Sequence, residues 1–164
     1  MFDTILGIPM HPLLVHAVVI FVPLQVLAAV AYALVPFVRR YIAWAVAGLA
    51  VITPLTAYAA KLAGDTFRKR LGINGAAIDQ HQNYGGWTLY ASAILSVLMI
   101  LLLVVYLSRA RRQGDDNAET STSSAGSKIL AIALTVGVLG MGGVALTYVV
   151  LTGHSGAKIV WGTR

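Results

Sequence analysis

The sequence predicts an all-α integral membrane bundle of four transmembrane helices, with both termini on the same side of the membrane. Hydrophobic residues make up 58% of the 164 residues and charged residues only 11%, and the mean hydropathy is +0.79. A chain this apolar cannot cover a soluble core with polar side chains. It contains four apolar runs, each long enough to cross a hydrocarbon core of about 30 Å. An even number of spans returns the chain to its starting side.

The four spans are expected at about residues 13–37, 41–62, 86–107 and 129–151, in one domain over residues 1–164. Pro12 fits the first turn of the first helix, where the missing N–H costs nothing. The first run lacks a basic leader and a small-residue cleavage motif, so we expect it to be retained as a helix. Only a short turn around Arg39 and Arg40 separates the first two runs, which predicts an antiparallel hairpin.

The two remaining connections differ in composition. Residues 63–85 are mixed and charged, which predicts a longer loop, with room for a short interfacial helix. Residues 113–127 are small and polar with almost no hydrophobes, a composition typical of a flexible linker. We expect this linker to carry no chemistry.

Basic residues do not by themselves orient the bundle, because six lie on each side. The linker side has Arg39, Arg40, Arg109, Arg111, Arg112 and Lys128, and the terminal side has Lys61, Arg68, Lys69, Arg70, Lys158 and Arg164. The first helix often dominates insertion, and here it is followed at once by two arginines. Both termini are therefore predicted to be extracytoplasmic.

The four histidines, His11, His16, His81 and His154, all fall on the terminal side of the predicted bundle. Taken singly, each is explained as an interfacial side chain that caps a helix or contacts headgroups. Together they predict one layer of imidazoles, with His81 just before the third helix and His154 just after the fourth. His16 lies about one turn inside the apolar boundary and is the hardest to explain by headgroup contact. His11 and His16 are about 140° apart on an ideal helix, so both cannot point straight at one centre.

Other polar residues approach the same layer. Lys61 and Asp65 are four positions apart, which favours an ion pair on one helix face. Alternatively, Asp65 or Asp79 accepts a hydrogen bond from a ligating imidazole and orients it, as partners of metal ligands commonly do. The glycines around His81 and His154 either allow close helix packing or clear room for a flat macrocycle. The chain has no cysteine, so a metal or haem must be held by His, Met, carboxylate or backbone oxygen.

Four motifs in the chain resemble those of the bacterial four-helix membrane family called domain of unknown function 2231. They are GIPMHPLLVH at 7–16, PLTAYAAKLAGD at 54–65, HQNYGGW at 81–87 and TGHSGAKIVWG at 152–162. The resemblance covers nearly all the chain apart from the linker. It implies a four-span protein of the bacterial inner membrane with recurring histidines. Because some members of that family are joined to redox domains, it also implies electron transfer.

Two cofactor hypotheses follow from the histidines. The leading one is a b-type cytochrome-like electron-transfer protein with haem b held among His16, His81, His154 and His11, since two imidazoles on facing helices can bind a haem iron. The alternative is a non-haem copper, zinc or iron site built from the same imidazoles.

A third hypothesis is a cofactor-free accessory subunit of a larger membrane complex. No phosphate-binding loop or nucleophile elbow is present, which favours an electron carrier or accessory subunit over a catalyst. The basic residues sit at helix ends, which favours lipid headgroups over nucleic acid as partners. A redox partner and a second copy of the chain are also among the expected partners.

Overall fold

The computed structural model describes residues 4–5, 8–113 and 125–162. Its helices are α1 (Met10–Leu34), α2 (Arg39–Leu71), α3 (Ala76–Gln113) and α4 (Ala125–Trp161). A two-residue antiparallel ladder of β1 (Thr4–Ile5) and β2 (Ile8–Pro9) precedes α1, and a 3₁₀ turn at Pro36–Val38 joins α1 to α2.

The outer surface of the bundle is apolar, as a bilayer requires. All four helices are long and apolar enough to cross a membrane. On α1, Val22 is fully buried while Leu27 is 67% exposed, so apolar side chains cover both the inward and the outward face. Helices that are apolar all round belong in hydrocarbon. The prediction of an all-α bundle with four spans is confirmed.

The prediction of a loop over residues 63–85 is wrong, because most of this segment is helical. Helix α2 continues to Leu71 and α3 begins at Ala76, so both helices extend well beyond their apolar runs. A helix satisfies its own backbone hydrogen bonds whether or not its side chains face lipid, and an apolar run therefore marks only the membrane-embedded part. The chain reverses at Gly72 and Gly75, which adopt φ of 62° and 143°, values that favour glycine. Most of the predicted linker, residues 114–124, lies outside the described residues.

Around the bundle, α1 packs on α2 and α4, and α3 packs on the same two helices, so α1 and α3 lie diagonally across the axis. Small buried residues line the interior between them: Ala50, Ala57 and Ala60 on α2, and Ala145 on α4. Small side chains let helix backbones approach closely in a membrane. Side chains of α1 and α3 can consequently meet across the bundle.

A buried polar contact joins the two diagonal helices. Gln25 on α1 is fully buried, and its Nε2 donates to Ser96 Oγ on α3 at 2.7 Å. Ser96 Oγ in turn donates to the Ser92 carbonyl oxygen at 2.9 Å. An amide facing hydrocarbon would be costly, so this contact fixes which face of α1 points inward.

The Gln25–Ser96 contact should be measurable as a coupling energy. A double-mutant cycle with Gln25→Met and Ser96→Ala, read by denaturant unfolding in bicelles, is expected to give about 0.6 kcal/mol and at most about 1.7 kcal/mol. A control cycle pairs Gln25→Met with Thr147→Ala, an exposed threonine that bonds only within its own helix, and should be additive. Equal coupling in both cycles would contradict the contact.

Candidate functional site

His11 lies in the first turn of α1 and leans on α2. Its Nδ1 is 3.0 Å from the carbonyl oxygen of Ala60. A carbonyl oxygen can only accept, so Nδ1 carries a proton, and in the neutral ring Nε2 is the nitrogen with a lone pair. The ring also stacks on Phe67, with centroids 6.2 Å apart. Helix α2 thus fixes both the orientation and the tautomer of this half-buried imidazole.

His81 lies within α3 and leans on α4. Its Nδ1 is 2.9 Å from Ser155 Oγ, and Ser155 Oγ donates its hydroxyl proton to the Thr152 carbonyl oxygen at 3.0 Å. Because the only hydroxyl proton of Ser155 is used in that bond, Ser155 Oγ acts as the acceptor for Nδ1–H of His81. In its neutral form His81 therefore has the same tautomer as His11, with the proton on Nδ1.

The two imidazoles meet across the bundle axis. Their ring centroids are 6.3 Å apart, and the ring planes are nearly perpendicular, at 86°. Both rings line one cavity of about 60 Å³. Its remaining walls are mainly apolar, with Val15 and Val18 from α1 and Ala57 from α2. Two imidazoles from two separate helices thereby line one small, largely apolar space.

Two glycines provide the room for these rings. A Cβ added at Gly64 would lie 2.8 Å from Cε1 of His11, and one added at Gly156 would lie 3.1 Å from Cε1 of His81. The first distance is well below normal van der Waals contact. Four glycines near His81 and His154 were considered above as room for a macrocycle. Of these, Gly156 contacts an imidazole. A Cβ at Gly85, Gly86 or Gly153 would meet nothing within 4 Å.

The structure brings together two of the four histidines, His11 and His81. His16 and His154 are exposed on the outside of the bundle, and Nδ1 of His16 bonds its own helix at the Pro12 carbonyl oxygen, 2.7 Å away. His81 and His154 also lie within helices rather than beside them. The sequence analysis emphasised His16 because it lies deepest within the apolar run. The side chain that faces inward is decided by rotation about the helix axis, not by depth.

Charged residues form the rim of the site on α2 and α3. Lys61 and Asp65 make the expected ion pair at 3.5 Å, and Arg68 pairs with Asp79 at 2.9 Å. Gln82 links the pairs, because its Nε2 donates to Asp65 at 3.1 Å while its Oε1 accepts from Arg68. Within the part of the chain that the structure describes, neither Asp65 nor Asp79 bonds an imidazole. Ala60 bonds His11, and Ser155 bonds His81.

Sequence reasoning missed Ser155, Gln82 and Gly64. One signal for the inward face was available, since His11 is followed at intervals of seven by Val18, Gln25 and Tyr32, all buried. A seven-residue spacing keeps side chains close to one helix face, and Gln25 had to point inward. The role of Ser155 depends on the rotation of α4, which no such polar marker indicated.

The cavity between the two imidazoles has a volume of about 60 Å³, which is enough for an ion or a few waters. Among the described residues, no three His, Asp or Glu side chains are close enough to share a metal ion. The donors that do converge are the two imidazoles.

Comparison with known proteins identifies the family. The model of the family DUF2231, described as a predicted membrane protein, matches residues 7–164. The chain therefore belongs to this family, as the four motifs suggested. No curated protein and no solved structure matches it.

Replacing Gly64 should disturb the site while a matched replacement should not. Both Gly64 and Gly85 line the cavity, but a Cβ at Gly85 meets nothing within 4 Å. Gly85→Ala should stabilise by up to about 1 kcal/mol through helix propensity. Gly64→Ala should be less stable than Gly85→Ala by about 1–3 kcal/mol, the usual cost of overpacking. Unfolding curves, with ¹⁵N-histidine spectra that report the His11 ring, provide the measurement; equal stability and an unchanged His11 signal would contradict the contact.

Proposed function

We propose that this DUF2231 protein is a membrane copper-binding protein, in which Nε2 of His11 and Nε2 of His81 together hold one Cu⁺ ion. The observation that carries the proposal is the convergence of two imidazoles from diagonal helices, 6.3 Å apart. In each, Nδ1 is bonded to an acceptor. Metal-ligating histidines characteristically donate their other ring N–H to such a partner.

The number and spacing of the donors favour copper among the metals that imidazole binds. Structural zinc sites are almost always four-coordinate, and among the described residues only two imidazoles converge here. Cu⁺ accepts two nitrogen donors. Metal–imidazole bonds of about 2.0 Å separate the two nitrogens by up to about 4 Å, which suits rings with centroids 6.3 Å apart.

The charge of the surroundings also favours a monovalent ion. The rim pairs Lys61 with Asp65 and Arg68 with Asp79, so these four residues supply no excess negative charge. In the neutral form of each imidazole, the partner at Nδ1 leaves Nε2 as the unprotonated nitrogen, so the two ligands add no negative charge. A site without excess negative charge stabilises a divalent ion poorly in a low-dielectric environment, and a monovalent ion carries a smaller desolvation cost.

Bound copper would give the protein a role in copper handling or in one-electron transfer at the membrane. The chain's own contribution is to orient the two nitrogen donors, through Ala60 and Ser155, and to surround them with apolar side chains. Burial and second-sphere hydrogen bonds are the features by which proteins adjust a metal's potential and solvent access. This role keeps the electron-transfer function predicted from the sequence but replaces haem by copper.

Histidine variants separate this site from the exposed histidines. In purified full-length protein, Cu⁺ titration against a chromophoric chelator should give one ion per chain. His11→Gln or His81→Gln should weaken binding by more than about 100-fold, because each removes a ligand and even an outer partner is worth about 10–100-fold. Ser155→Ala should weaken it by about 10–100-fold. His16→Gln and His154→Gln are the matched controls and should bind like the unmodified chain.

Other results of the same experiment would overturn the proposal. Equal binding by all four histidine variants would remove His11 and His81 as ligands. Reduced-minus-oxidised spectra of the purified protein with b-type haem bands would replace copper by the haem first expected. A chain that binds neither copper nor haem would favour the cofactor-free accessory subunit.

We also propose that the site end of the bundle faces the extracytoplasmic side of the bacterial inner membrane. Support comes from Arg39 and Arg40, which begin α2 at the opposite end and favour retention of that end in the cytoplasm.

Single cysteines test this orientation, because the chain has no cysteine of its own. Ile73→Cys lies in the turn at the site end, and Phe37→Cys lies in the turn at the other end. A membrane-impermeant maleimide should label Ile73→Cys in intact cells and Phe37→Cys only after lysis. The reverse pattern would place the site in the cytoplasm.

A further inference from the structure

At the end of the bundle opposite the histidines, two arginines share one aromatic ring. The guanidinium of Arg39 lies 3.6 Å from the centroid of the Tyr106 ring, and that of Arg109 lies 5.7 Å from it. Two guanidinium groups repel each other, so their position beside the same ring concentrates positive charge in this region. Arg40 and Lys128 lie in the same region and line the cavities that adjoin Tyr106.

Both ring-stacked arginines are held in place by hydrogen bonds to neutral groups. Arg39 donates from Nε and Nη2 to the carbonyl oxygens of Tyr32 and Ala33, each at 2.8 Å, which satisfies the last turn of α1. Arg109 donates from Nε to Ser127 Oγ at 3.0 Å. These bonds orient the guanidinium groups without neutralising them. The acidic residues of the described segments, Asp65 and Asp79, belong to the opposite end.

A surface cavity of about 710 Å³ lies between these arginines. Its walls combine the basic side chains with exposed apolar ones, including Phe37, which is 74% exposed, and Leu107, which is 43% exposed. A soluble anion needs only the basic part of such a cavity. The combination of guanidinium groups and outward-facing apolar side chains matches a molecule with an anionic head and hydrocarbon chains.

We infer that this cavity binds the phosphate of an anionic phospholipid between Arg39 and Arg109, with an acyl chain against Phe37 and Leu107. Guanidinium groups bind phosphate oxygens through paired N–H donors, and basic pockets between transmembrane helices commonly bind anionic headgroups. The site is independent of the proposed copper site, because it lies at the other end of the bundle and shares no residue with it.

Native mass spectrometry of the purified full-length chain tests this inference. The chain should retain phosphatidylglycerol, and not phosphatidylcholine, after reconstitution and detergent release. Each basic side chain near an anionic lipid surface favours binding by about fivefold, so Arg39→Gln/Arg109→Gln should bind phosphatidylglycerol about 25-fold more weakly. Lys69→Gln/Lys158→Gln removes the same charge without touching the cavity and is expected to bind normally.

Two further variants separate recognition from folding. Arg40→Gln/Lys128→Gln changes exposed side chains of the same region and should weaken binding even if the first pair does not fold. Arg39→Lys/Arg109→Lys keeps the charge and should bind at an intermediate level, because lysine lacks the planar fork. Equal loss in the charge-matched control would indicate general surface attraction and overturn the site. Displacement of the lipid by millimolar inorganic phosphate would indicate a soluble anion instead and overturn the assignment to lipid.

Discussion

The contact between His11 and His81 depends on the absence of side chains at Gly64 and Gly156. The imidazoles belong to helices that lie diagonally across the bundle. The His11 ring contacts Gly64 of α2, and the His81 ring contacts Gly156 of α4. A methyl group at position 64 would lie 2.8 Å from the His11 ring. The two glycines therefore leave the space in which the imidazoles lie.

The bilayer imposes a second constraint, which explains the polar interior. Side chains that cannot face hydrocarbon must find partners inside the bundle or at its ends. Gln25 does so by bonding Ser96, and Arg39 does so by bonding the last carbonyls of α1. The pattern gives the bundle two chemically different ends. One end has two imidazoles beside two ion pairs, and the other has arginines stacked on Tyr106.

The number of spans was predictable from the sequence, because the thickness of hydrocarbon fixes the length of an apolar run. The true helix ends were not, since α2 and α3 continue through polar residues that the membrane does not select. The Lys61–Asp65 pair was predictable, because it depends only on helical spacing within α2.

The composition of the site was only half predictable. The sequence indicated that His11 and His16 could not both point straight at one centre. Depth drew attention to His16, which is exposed, whereas His11 is the one that meets His81. The distance of a residue from the membrane surface follows from counting, whereas its direction follows from how four helices rotate against each other. Ser155 beside His154 illustrates this point, because the serine meets His81 while its neighbour is exposed.

X-ray absorption at the copper edge of Cu⁺-loaded full-length protein tests the central claim most directly. A two-imidazole site predicts nitrogen neighbours at about 2.0 Å, as for other metal–imidazole bonds, together with the outer-shell scattering of two imidazole rings and no sulfur shell. Loss of one ring in His11→Gln and in His81→Gln would complete the assignment. A sulfur shell, or an imidazole signal that survives both substitutions and disappears in His16→Gln or His154→Gln, would contradict it.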